Sequence, residues 1–159
     1  FDKFRYVWTH GDYISINDNN GVKIYGRSDA TLNPGGVRIG TSEIYKITET
    51  ISYIEDSLAI AQNYKNDERI ILFIKLVKSK KLTLDMKKKI VYKIKNECSP
   101  RHVPSLIIQI KDIPYTINGK KVEIAVKDII HGAKPENISS LVNPESLNLY
   151  KNLKELLLW

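Results

Sequence analysis

Arg69-Ile70-Ile71-Leu72-Phe73-Ile74-Lys75-Leu76-Val77-Lys78 is the stretch from which the fold can be read. Its apolar residues run almost without a break, whereas a strand with one wet face would alternate apolar and polar. The run is far shorter than the roughly 18–20 apolar residues of a membrane span. It therefore reads as a central strand of a sheet covered on both faces, with residues 55–64 as its partner in a strand pair. Beyond it, Thr83 is placed to cap a helix through about residue 97. Met86, Ile90, Val91 and Ile94 form the buried stripe of that helix, and Lys87, Lys88, Lys89, Lys93 and Lys95 lie off it. Ser99-Pro100 stops it, because the proline ring disfavours helical geometry in the residue before it. Residues 106–110 make a further strand. Ile113-Pro114-Tyr115-Thr116 leads to a turn at Asn118-Gly119, and a short helix from 121 to about 130 is terminated at Gly132.

Working back toward the N-terminus, Thr31-Leu32-Asn33-Pro34-Gly35-Gly36-Val37-Arg38-Ile39-Gly40 is a glycine-rich loop. Thr41 is the expected N-cap of a helix to about residue 52, with Ile44, Ile47, Thr48 and Ile51 on one face. Earlier still, residues 11–16 and 22–26 alternate around Asp18-Asn19-Asn20-Gly21, a good hairpin signal. The order after Asp29 is loop, helix, strand, strand, helix, strand, turn, helix. This is an α+β chain, with a small, mainly antiparallel sheet flanked by helices. Two strands alone are marginal in water, so the hairpin of residues 1–28 is expected to close a larger N-terminal domain. Residues 29–132 then form the α+β domain, and 133–159 an extension packed on it.

The 159 residues are 42% hydrophobic and 27% charged, which fits a globular chain and excludes wholesale disorder. No apolar run could span a membrane and residues 1–10 lack signal-peptide character, so a cytoplasmic setting without a membrane partner is expected. A start at Phe1 rather than Met leads us to expect the C-terminal part of a longer protein. The single cysteine, Cys98, excludes an internal disulfide framework and a multi-cysteine zinc site. His10, His102 and His131 show no ligand spacing, so no metal site is expected. The net charge is +7 and is uneven, −2 over residues 1–60 and +9 over 61–159. That basic part admits a polyanionic partner. It lacks aromatics interleaved with arginine, so a nucleic-acid-binding module is the lesser alternative.

Four short features remain: Thr9-His10-Gly11-Asp12, Gly26-Arg27-Ser28-Asp29, Gly35-Gly36-Val37-Arg38-Ile39-Gly40 and Asn118-Gly119-Lys120. Each is common alone, but in this order and spacing they resemble the C-terminal core motifs of the acyl-adenylate-forming superfamily. That superfamily holds acyl-CoA synthetases, peptide-synthetase adenylation domains and luciferases. The resemblance covers about residues 8–130. It is closest to the acetoacetyl-CoA synthetase family, through the stretch from Gly26 to Thr41, Ser99-Pro100-Arg101-His102-Val103-Pro104, Asp112-Ile113-Pro114-Tyr115-Thr116 and Asn143-Pro144-Glu145-Ser146-Leu147. An acetate- or propionate-specific synthetase stays open, because the acyl pocket of such enzymes lies outside these residues.

The resemblance implies a C-terminal lid domain that works with an N-terminal domain of the same chain. A small carboxylic acid and MgATP give acyl-AMP and pyrophosphate; coenzyme A then displaces AMP. Lys120 matches the lysine that stabilises charge during adenylation, while its neighbour Lys121 is expected to point elsewhere. Asp12 matches the carboxylate that holds the ATP ribose, and Arg27 and Arg38 match nucleotide-contacting arginines. Asp29 matches the hinge, followed here by Ala30 where a second acidic residue is frequent. Gly36 matches a glycine lining the coenzyme A tunnel, and Lys95 falls where relatives place a basic residue against coenzyme A phosphate. ATP or AMP, coenzyme A and Mg are expected as ligands of the complete enzyme, with none held tightly by residues 1–159 alone.

Overall fold

The computed structural model describes residues 6–7, 11–28, 30–78 and 80–157. A three-stranded sheet holds β3 (Ile54–Tyr64), β4 (Asp67–Leu76) and β5 (Leu106–Gln109) in that order, with β4 in the centre. β3 and β4 run antiparallel through the Lys65-Asn66 turn, and β5 lies parallel to β4. A parallel neighbour requires a crossover, which is supplied by α2 (Leu84–Glu97).

The unbroken apolar run of β4 is explained by two cores. Ile70, Leu72, Ile74 and Leu76 face one side and pack with Ala59 and Ala61 of β3 against Ile44 and Ile47 of α1 (Thr41–Thr48) and Ile90 and Ile94 of α2. Ile71 and Phe73 face the other side, with Leu58 and Ile60, and meet Ala125 and Val126 of α3 (Glu123–Ile130). The strand pairing, the central place of β4 and the Thr83 cap match the sequence reading; Thr83 Oγ1 accepts the Met86 N–H at 3.2 Å.

Three helix ends differ from it. The α1 helix begins at Thr41 itself, with Gly40 in the capping position. A Cβ on Gly40 would lie 2.5 Å from the Tyr25 carbonyl oxygen, so close packing against the hairpin selects glycine there. The same helix ends at Thr48 rather than near 52; the Thr50 hydroxyl bonds the Ile47 carbonyl at 2.7 Å, a local competitor of helical geometry. The α3 helix starts at Glu123, not 121, because Lys121 is drawn into an antiparallel bridge with Tyr115.

The C-terminal segment is more than a covering. Leu141, Leu147 and Tyr150 are buried members of the second core, and the Tyr150 ring meets Phe73 edge-on with centroids 4.9 Å apart. Such a pair contributes about 0.5–1.5 kcal/mol beyond its buried area. Arg69 on β4 donates to the Leu156 carbonyl of α4 (Lys154–Leu157) at 3.4 Å and lies 4.0 Å from the centre of the Tyr64 ring.

The hairpin β1 (Asp12–Ile16) and β2 (Val22–Arg27) forms a sheet of its own. Its cross-strand pairs Ile14–Ile24 and Ile16–Val22 leave all four side chains exposed. The Tyr25 carbonyl accepts the Ser42 hydroxyl at 3.0 Å and so ties β2 to the start of α1.

Candidate active-site elements

Lys120 closes a tight turn. Gly119 N–H donates to the Thr116 carbonyl at 2.8 Å, and the Lys120 N–H donates to the Thr116 hydroxyl at 3.1 Å. Gly119 has φ +69°, a left-handed conformation that glycine adopts without steric cost. The Lys120 side chain is exposed and makes no ion pair or hydrogen bond with the described residues. Lys121 behaves oppositely. Its ammonium lies 2.7 Å from Asp56 Oδ1, donates to the Ser57 carbonyl at 2.7 Å and sits 4.1 Å from the centre of the Tyr45 ring. Among the described residues, two adjacent lysines are thus separated into one cation without a partner and one structural cation.

The floor beneath this turn is a dense polar network. Tyr115 donates its phenol proton to Asp56 Oδ2 at 2.6 Å, and Asp56 also accepts the Ser57 N–H at 2.7 Å. Tyr45 donates to Glu123 at 2.9 Å while its oxygen accepts the Ala59 N–H at 3.1 Å. Thr41 adds a longer contact to Glu123 at 3.4 Å. Burial pushes the Glu123 carboxyl above the ordinary carboxylate range, and burial followed by the Glu123 charge pushes the Tyr45 phenol well up. Burial and the Asp56 carboxylate do the same to Tyr115.

The outer edge of the turn is covered by the C-terminal segment. Ile117 N–H donates to the Ser140 carbonyl and Val142 N–H to the Tyr115 carbonyl, each at 2.9 Å. Asn143 uses its whole amide. Its Oδ1 accepts the Tyr115 N–H at 3.0 Å, and Nδ2 donates to Asp112 Oδ2 at 2.6 Å and to the Ile113 carbonyl at 2.9 Å. Burial works to raise the Asp112 pKa, but hydrogen bonds from Asn143 and Lys75 outweigh it and hold the carboxyl below its ordinary value.

The glycine loop sits at the other end of the sheet. Leu32 and Ile39, both buried, pair across its base. The β3–β4 turn grips its tip: Gly35 N–H donates to the Asp67 carboxylate at 3.0 Å and Asn33 N–H to Glu68 at 3.1 Å. Gly36 has φ +77°, and a Cβ there would meet nothing within 4 Å, so its backbone borders open space. Arg38 is exposed, with no partner among the described residues.

The other expected residues lie on other elements. Lys95 is exposed in the last turn of α2. Asp12 and Arg27 face each other in register at the open end of the hairpin. Asp29, expected as the hinge, lies outside the described residues, as does the Arg27 side chain. Lys120 and the glycine loop are thus bonded to opposite ends of β3, while Asp12 and Arg27 belong to the hairpin and Lys95 to α2. Among the described residues, no three His, Cys, Asp or Glu side chains gather so as to hold a metal ion, and no helix is long and apolar enough to cross a membrane.

Sequence reasoning passed over Asp56, Glu123, Tyr45 and Asn143. One signal was available for Asp56. In the alternation of β3 it falls just before the buried run Ser57-Leu58-Ala59-Ile60, where a half-buried carboxylate demands partners.

No family model matches the chain. Structures and sequences do. An acetoacetyl-CoA synthetase from Streptomyces lividans superposes with a TM-score of 0.87 at 35% identity, over 98% of this chain and 24% of that one. An anthranilate CoA ligase solved with anthranoyl-AMP shares the fold at a TM-score of 0.69 and 18% identity, over 79% of this chain and 24% of that one. The chain has the C-terminal domain fold of the adenylate-forming enzymes. Within that class its sequence aligns over nearly all its length with acetoacetyl-CoA synthetases. The Gallus gallus protein is 51% identical over 158 residues, covering 98% of this chain and 24% of the relative. The chain thus spans about a quarter of the length of the curated relatives it matches.

Proposed function

We propose that this chain is the C-terminal lid of an acetoacetate–CoA ligase, acting in the cytoplasm with a preceding domain of the same polypeptide. In the first half-reaction a carboxylate oxygen of acetoacetate attacks the α-phosphorus of MgATP. An O–P bond forms, the bond to the β-phosphate breaks, and pyrophosphate leaves. Lys120 supplies a cation to the oxygens on which negative charge gathers, which lowers the barrier because the interaction strengthens in the transition state. In the second half-reaction the thiol of coenzyme A attacks the acyl carbonyl carbon. A C–S bond forms, the C–O bond to AMP breaks, AMP leaves with that electron pair, and the thiol proton is released to water. Gly36 lines the path of the pantetheine arm, and Arg38 and Lys95 meet phosphates. Asp12 holds the ribose hydroxyls, Arg27 contacts the nucleotide, and Asp29 is the hinge between residues 1–28 and 29–132.

What supports this reading is the separation of the two reactive elements. The Lys120 turn is bonded to Asp56 and Ser57 near the start of β3, and the glycine loop to Asp67 and Glu68 beyond its end. From Asp56 to Tyr64 a strand covers roughly 25 Å at about 3.3 Å per residue. A rigid lid with its tools at opposite ends can serve two consecutive steps at one nucleotide only by turning between them.

The test is AMP formation from ATP and coenzyme A by the full-length protein with acetoacetate, acetate and propionate. Acetoacetate is expected to give the highest kcat/KM, and the chain of residues 1–159 alone to form no AMP. A preference for acetate or propionate would assign the lid to another short-chain synthetase. Turnover by residues 1–159 alone would contradict the division of labour.

A further inference from the structure

The free lysine is useful only if its turn is held still, and one carboxylate holds both arms of that turn. Asp56 accepts the Tyr115 phenol on the incoming arm at 2.6 Å and the Lys121 ammonium on the outgoing arm at 2.7 Å. Its own place is fixed by the Ser57 N–H at 2.7 Å. Tyr115 and Lys121 are the two residues that bridge at the neck of the turn, so Asp56 pins the neck to β3. The Lys121 side chain is 15% exposed and that of Asp56 20%, which shields the pair from the screening that makes exposed ion pairs weak. Lys120, between Gly119 and this anchor, projects without a partner among the described residues.

We propose that Asp56 is the positioning residue for Lys120, aiming it through Tyr115 and Lys121 without itself touching the nucleotide. This rests on the reading of Lys120 as the adenylation lysine. Asp56→Asn keeps an acceptor for Tyr115 but removes the charge that holds Lys121. Lys121→Met removes the other half of the pair and keeps an apolar stem over Tyr45.

The experiment measures both half-reactions in the full-length protein. They are acetoacetate-dependent exchange of pyrophosphate into ATP, and thioester formation from supplied acetoacetyl-AMP and coenzyme A. Misplacing a reacting group by about 1 Å costs up to about a hundredfold. Asp56→Asn and Lys121→Met are each expected to slow exchange by about tenfold to a hundredfold, with thioester formation within about twofold of wild type. The double variant should be no slower than the slower single one, because the two changes break one interaction. Amide hydrogen exchange over residues 117–121 should quicken in Asp56→Asn while β4 stays protected. Unchanged pyrophosphate exchange, equal loss in both half-reactions, or additive losses in the double variant would each overturn the proposal. Lys120→Ala is measured alongside. If it retains pyrophosphate exchange, the reading of Lys120 falls and the positioning claim with it. If it loses exchange while Asp56→Asn does not, the positioning claim alone falls.

Discussion

Glu123 illustrates how much a single side chain can carry without showing in the sequence. It opens α3, accepts the Tyr45 phenol, and is raised above the usual carboxylate range by burial. A raised folded-state pKa means that the native state binds a proton more tightly than the unfolded chain. The stability so gained is complete below the unfolded value of about 4.3 and is lost as pH rises through the folded value. Glu123→Gln keeps an acceptor for Tyr45 and cannot ionise. Urea midpoints measured from pH 4 upward are expected to fall less steeply in Glu123→Gln than in wild type; parallel curves would show that Glu123 does not set the slope. At this scale the sequence was legible in separating the two lysines: Lys121 was expected to point elsewhere, and it pairs with Asp56 while Lys120 is exposed. It was silent on Asp56, Glu123 and Asn143, whose roles come from partners distant in the chain.

At the scale of elements, periodicity was a good guide wherever a core imposed it. The β4 strand and α2 bury the residues their patterns mark, with Ile90 and Ile94 deepest in the α2 stripe. The termini of α1 and α3 shifted because other bonds competed with helical geometry, a local one at Thr50 and a tertiary one at Lys121. The segment after Gly132 was the least legible. It has no long periodic run, yet it forms the outer edge of the Lys120 turn through Ser140, Val142 and Asn143. Asn143→Ala removes three hydrogen bonds and strands the Tyr115 N–H and the Ile113 carbonyl. Leaving a buried polar group unsatisfied costs about 1–3 kcal/mol. Denaturant unfolding should therefore show Asn143→Ala less stable by about 2–3 kcal/mol. A loss under about 0.5 kcal/mol, the range of ordinary surface substitutions, would show that this edge is not structural.

At the scale of the whole molecule, the expected site residues sit on separate elements. Lys120 stands at one end of the sheet and Gly36 and Arg38 at the other, with Asp12 and Arg27 on a hairpin whose apolar face is exposed. The motif order along the sequence foretold the fold class and the relatives; their opposite placement needed coordinates, because it depends on which end of β3 each loop is bonded to. Under the proposed function Lys120 and the glycine loop serve different steps, and this is the central claim. Its most direct test is Lys120→Ala in the full-length protein, with each half-reaction measured separately. Acetoacetate-dependent pyrophosphate exchange is expected to fall by at least about a hundredfold, the scale of losing one preorganised electrostatic group. Thioester formation from supplied acetoacetyl-AMP should stay within about twofold of wild type, because a group used in one transition state alone leaves the other unchanged. Equal loss in both half-reactions would contradict the account.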